Sequence, residues 1–187
     1  MAIAPFGIYC IYYAKSVSMD LPAFGKCMAL TYCISLVLSY PIGWLADRFH
    51  PLRLSLLFVT FYGAAMALSY LFVHDTRTFA IALVAHGVLV GSMNTSSASI
   101  GQRLLPREKF AEISSAGGVL NSLVGIFLAP AIGLILDHEN HDYRYTFLMA
   151  FILSASALAV LVVLYAKFMA LGGPKNYIAP GTVALTL

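Results

Sequence analysis

His86 is the only Asp, Glu, Lys, Arg or His side chain inside the five long apolar runs of this 187-residue chain. An ionisable group at that depth in hydrocarbon is costly, so such residues face a bundle interior or a water-filled path. On a helix turning about 100° per residue, His86, Met93 and Ser97 project within about 40° of one another, with Asn94 at the edge of that face. This polar stripe can hydrogen-bond a solute or relay a proton. A histidine satisfied by a neighbouring helix is the alternative, and spacing alone leaves both open.

Three tyrosines near the N-terminus, Tyr9, Tyr12 and Tyr13, add a second kind of chemistry. A tyrosine offers a flat apolar face with a hydroxyl at its edge, suited to stacking under a sugar ring while binding its hydroxyls. Aromatic side chains also anchor helices at the headgroup level, a role that suits Tyr12 and Tyr13. Tyr9, deeper in its segment, is the better candidate for a cavity, with Tyr13 the next. Tyr32, Ser35 and Ser39 share one helical face, as do Ser114, Gly118, Asn121, Ser122 and Gly125. Small residues at four-residue spacing, Ser114, Gly118 and Ser122, let helices pack closely in lipid. The amide of Asn121 needs partners, from a neighbouring helix or from a solute.

Catalytic alternatives find little support. One histidine without a carboxylate near it in the apolar runs makes no acid–base pair, and there is no H-E-x-x-H or G-x-S-x-G arrangement. Cys10, Cys27 and Cys33 show no C-x-x-C spacing and no histidine at ligand distance, so no metal or cofactor is expected and the thiols read as small buried hydrophobes.

The elements that must position these residues are set by composition. Hydrophobic residues make up 60% of the chain and charged residues 10%, against about 45–50% and about 25% in soluble domains. Only lipid can surround so much apolar surface. Crossing about 30 Å of hydrocarbon takes about 20 apolar residues in a helix. Five runs meet that length: 27–46, 54–73, 78–100, 113–136 and 145–166. The opening run 1–14 is too short to cross unaided, which reads as a re-entrant piece or, more simply, a helix whose beginning is missing. The expectation is an all-α membrane protein: one bundle over 1–168 with five full transmembrane helices and a truncated first one, then an irregular tail over 169–187 that starts with the breakers Gly172, Gly173 and Pro174.

Charge in the connections orients the bundle by the positive-inside bias. If the links 47–53 and 101–110 share a side with the tail, that side holds Arg48, Arg53, Arg103, Arg107, Lys109, Lys167 and Lys175, seven of the eleven basic residues. The other side keeps Asp20, Asp75, Asp137, Glu139 and Asp142, five of the eight acids. The basic side, with the C-terminus, is then cytoplasmic, and the expected location is the plasma (inner) membrane. No clustered basic run with interleaved aromatics supports nucleic-acid binding.

The most specific local signal is Gly43-Trp44-Leu45-Ala46-Asp47-Arg48, followed by Arg53, at the boundary between two crossings. An acid and two bases there can cap helix ends and pair with a neighbouring helix, while Gly43 permits close backbone approach. A conformational latch and a plain positive turn both fit this spacing. Gly43-x-Leu45-Ala46-Asp47-Arg48 resembles the G-x-L-A-D-R signature of the major facilitator superfamily, found there in the cytoplasmic loop between the second and third helices of a six-helix half. The pattern continues in that family with a glycine and adjacent basic residues, where this chain has His50, Pro51 and Leu52 before Arg53. The loop Arg103-Leu-Leu-Pro-Arg-Glu-Lys109 is similar to the basic, proline-containing connection between the fourth and fifth helices.

The resemblance implies that Asp47 and Arg48 stabilise the outward-facing state, and that the opening segment and the helix of His86 line a central cavity. It further implies the C-terminal half of a twelve-helix transporter, its partner being a missing N-terminal half or a second copy. The function expected is secondary active transport of a small polar solute, a sugar or related hydroxylated compound, with His86 the one residue able to carry a coupled proton. A non-transporting fragment or an assembly partner is the alternative, and a membrane-embedded enzyme is a more distant one.

Overall fold

A computed structural model describes residues 2–177, apart from the side chain of Lys175. The described chain is helical throughout its ordered elements: α1 (Ala4–Ser16), α2 (Leu21–Phe49), α3 (Pro51–Phe72), α4 (Thr76–Ser97), the short α5 (Ile100–Leu104), α6 (Phe110–His138), α7 (Tyr145–Ala170) and a single turn, α8 (Gly173–Asn176). A 3-10 turn, Arg107–Lys109, precedes α6. Five stretches are long and apolar enough to cross a membrane: Leu21–Phe49, Pro51–Phe72, Thr76–Leu104, Arg107–His138 and Tyr145–Ala170. The first helix, at 13 residues, spans about 20 Å at 1.5 Å per residue.

Most helices run past the apolar segments expected from the sequence, because polar residues at their ends cap or continue the backbone ladder. The Asp20 carboxylate accepts from the Ala23 amide at 3.0 Å and starts α2 six residues before its expected beginning. Asp75 accepts from the Thr78 amide at 2.7 Å in a reciprocal capping box that starts α4. Pro22 and Pro51 sit in first turns, where a missing amide hydrogen costs nothing. At the other end of the chain, α7 continues to Ala170 and α8 follows, where an irregular extension was expected from residue 169. Gly172, at φ 105°, supplies the left-handed break, and Pro174 restarts the helix. The remainder of that expected tail, 178–187, lies outside the described residues.

The bundle is centred on α3, which packs against α7 on one side and α4 on the other, while α2 lies along α4 and α1 along α7. Tyr62, Met66, Phe6, Phe79 and Phe147 are almost wholly buried where these helices meet. Phe6 and Phe147 stack at 4.8 Å, and Tyr13 tilts against Phe79 at 4.8 Å. Between helices in lipid, close contact comes from small residues, since there is no hydrophobic gain over the tails themselves. Gly87 and Gly91 of α4 do this against Thr31 and Ser35 of α2. A smaller cluster, Ile42, Ala46 and Leu54, closes the opposite end of the α2–α3 pair.

α6 stands apart. Residues 111–124 are exposed throughout, and a side chain at Gly117, Gly118 or Gly125 would meet nothing within 4 Å. The close packing expected of Ser114, Gly118 and Ser122 therefore has no partner helix among the described residues.

Candidate functional site

A cavity of about 290 Å³ opens between α1, α2 and α4. Phe6 and Cys10 line it from α1, Thr31, Tyr32 and Ser35 from α2, and His86 and Asn94 from α4. Two features mark it as the candidate site. Thr31 Oγ1 and Ser35 Oγ are buried without a hydrogen-bond partner among the described residues, although buried hydroxyls are almost always satisfied. The glycines at 87 and 91 bring the α4 backbone against these same side chains, so the position of both hydroxyls is fixed by packing.

His86 is 9% exposed. Its Nδ1 lies 3.2 Å from the Tyr62 hydroxyl on α3, and its ring meets Phe6 edge-on at 4.5 Å. The histidine is thus satisfied by a neighbouring helix on one edge while its residue also lines the cavity. Asn94 is exposed and lines the cavity mouth, but Ser97 bonds back to the Asn94 carbonyl at 3.3 Å and does not line it.

The other sequence candidates divide. Tyr32 lines the cavity. Tyr9 does not: its hydroxyl donates to the Ala129 carbonyl at 3.2 Å and ties α1 to α6. Tyr13 is 3% exposed in the aromatic core and donates to the Val73 carbonyl at 3.3 Å, which leaves it nothing to offer a solute or the headgroup region. Asn121 lies on the open face of α6, away from the cavity.

At the basic end, Asp47 pairs with Arg103, Oδ1 to Nη2 at 2.7 Å, and so joins the end of α2 to α5. Arg103 lies outside the signature; its opposite charge, in the next connection at the same end, is the sequence signal for this pair. Arg48 instead lies over the Trp44 and Phe49 rings at 5.2 and 5.9 Å. The Arg53 Nε donates to the Tyr165 hydroxyl at 2.7 Å and fastens α3 to α7. Gly43 has no close neighbour: a side chain there would meet nothing within 4 Å, so the close approach expected of it is absent from the described chain.

His50, in the place of the glycine of the resembling motif, adopts φ 79°, a region that favours glycine. Its Nδ1 accepts from the Leu52 amide at 3.3 Å to cap α3, and its ring stacks on Phe168 at 4.6 Å. Burial, then the nearby guanidinium groups of Arg103 and Arg53, hold this imidazole below its ordinary value, so it stays neutral and able to accept.

The family model described as Major Facilitator Superfamily matches residues 1–178. No curated protein and no solved structure matches the chain.

Proposed function

The chain belongs to the major facilitator superfamily, a family of membrane transporters of solutes, and from that premise we propose that it carries a sugar or similar hydroxylated compound by alternating access. The observation that supports this most is the pair of buried, unpartnered hydroxyls, Thr31 and Ser35, beside Tyr32, His86 and Asn94 in one cavity. These groups offer neutral hydrogen bonds and an aromatic face, and among the described residues no carboxylate, lysine or arginine lines the cavity to neutralise a charged solute. That same lining gives His86 no acid to exchange a proton with, so solute recognition is the reading we favour for it over proton coupling.

Alternating access needs two bodies rocking about a shared site near the bilayer midplane. We take this chain as the C-terminal one. The exposed faces of α2 and α6, with small residues and Asn121 among them, suit a second six-helix body, either the N-terminal half or another copy. The basic end is assigned to the cytoplasm of a plasma (inner) membrane by the charge bias.

Cys10 lines the cavity and gives it a reporter. In a variant carrying Cys27→Ser and Cys33→Ser, a water-soluble maleimide is expected to label Cys10, and a transported hexose to slow that labelling at least severalfold. Labelling that no neutral sugar or polyol slows would set this reading aside.

The Asp47–Arg103 pair is the proposed latch. Its side chains are 73% and 37% exposed, and exposed pairs contribute about 0.2–1 kcal/mol. Asp47→Asn should therefore slow uptake by no more than about fivefold with membrane insertion unchanged. The swap Asp47→Arg with Arg103→Asp should recover most of it. Uptake assays that show no loss in Asp47→Asn would remove the latch.

A further inference from the structure

A second cavity, about 630 Å³, lies at the basic end between the α5–α6 connection and the last turns of α7. Its wall is apolar, formed by Leu104, Ile113, Leu164, Phe168 and Leu171 among others. The Tyr177 hydroxyl donates to the Leu104 carbonyl at 3.0 Å and its ring packs on Phe168 at 5.1 Å, which ties the end of the described chain to this wall. Among the described residues, the charged ones that line the cavity are Lys109 and Lys167, and no acid does. Both lysines are exposed, and neither belongs to an ion pair among the described residues.

We propose that this groove holds an anionic phospholipid, with an acyl chain along the apolar wall and the phosphate at Lys109 and Lys167. The volume falls within the range of about 300–1,000 Å³ typical of ligand pockets. Filling it with water would leave a large apolar surface hydrated at the edge of a bilayer, whereas an acyl chain removes that surface from water. Lysine stems lie along apolar walls while their ammonium groups reach the headgroup level. Basic pockets between helices on the cytoplasmic side are the places where acidic headgroups collect. The apolar wall distinguishes a lipid from free phosphate, which could use the two lysines but nothing else in the groove. Glu108 and Glu112, close in sequence, do not line it. The inference does not depend on what the transporter carries.

The test is a titration of the purified full chain in detergent, read by native mass spectrometry, with phosphatidylglycerol and phosphatidylcholine of the same acyl chains. The wild type should prefer phosphatidylglycerol by on the order of tenfold. Lys109→Gln with Lys167→Gln should abolish that preference, whereas Lys26→Gln with Arg77→Gln, at the opposite end, should leave it intact. Equal binding of the two lipids by the wild type, or a preference that survives in the Lys109/Lys167 double variant, overturns the assignment. So does displacement of the lipid by inorganic phosphate at equal concentration, which would mark a headgroup site alone. A requirement to delete 178–187 before any lipid binds would give the groove to that segment instead.

Discussion

Gly87→Ala should lower the stability of the detergent-solubilised protein by about 0.5–2 kcal/mol and weaken solute binding with it. In an ordinary helix interior the same change adds about 0.5–1 kcal/mol of stability, because alanine loses less backbone freedom than glycine. Here the new methyl would overlap Thr31 Cγ2, with Thr31 Cβ and Oγ1 both at 3.3 Å. Threonine carries its methyl and its hydroxyl on one χ1 bond, so the methyl cannot swing aside without moving the buried hydroxyl with it. Forcing a methylene-sized group into such a contact costs about 1–3 kcal/mol, more than the propensity gain.

Two companions make the outcome diagnostic. Gly25→Ala, where a side chain would meet nothing within 4 Å, should be neutral or mildly stabilising. Gly87→Ala combined with Thr31→Ser removes the obstructing methyl and keeps the hydroxyl, so it should regain most of the lost stability and binding. Thermal unfolding measured on the four proteins decides the matter: a Gly87→Ala protein as stable as the wild type would mean that α2 and α4 are not so closely apposed.

That the chain forms five helices long and apolar enough to cross a membrane was legible in the sequence for a physical reason. Charge along a span is costly in lipid, so the runs around Val59, Val88 and Ile132 stand out by their lack of Asp, Glu, Lys and Arg. Helix ends were less legible because capping residues such as Asp20 and Asp75 are polar and lie outside any apolar run, yet belong to the helix signal. The third long run also breaks after Ser97, and α5 follows from Ile100 as a separate turn.

The lining of the cavity was legible in part. Periodicity placed His86 and Asn94 on one face and Tyr32 with Ser35 on another, and these faces meet across one cavity. Periodicity within one helix says nothing about which neighbour it meets, so it does not reveal the unpartnered hydroxyl of Thr31 or the glycines opposite it. Tyr13 shows the same limit in reverse. Its type suits a sugar platform, but its place at the crossing of α1 with α7 puts it into the core beside Phe79 and Phe147. Arg103 lies 56 positions from Asp47, and only the return of the chain to the same end brings the two charges together.

Thr31→Val with Ser35→Ala should weaken solute affinity roughly 10- to 100-fold while leaving the protein as stable as before or more so. The two halves of that statement have one cause. A buried hydroxyl without a partner carries an unrecovered desolvation cost of about 1–3 kcal/mol, and Thr31 Oγ1 and Ser35 Oγ are both in that condition among the described residues. Removing them relieves the empty protein, since valine keeps the shape of threonine and serine to alanine opens little space. A solute hydroxyl that would have met each oxygen loses a hydrogen bond of about 0.5–1.5 kcal/mol, and two such losses, about 1–3 kcal/mol together, span the stated range. The measurements are an unfolding midpoint and an equilibrium dissociation constant on the same preparation. A double variant that unfolds at lower temperature yet binds its solute as tightly as the wild type would show the two hydroxyls holding α2 to α4, and recognition would then have to rest on Tyr32, His86 and Asn94.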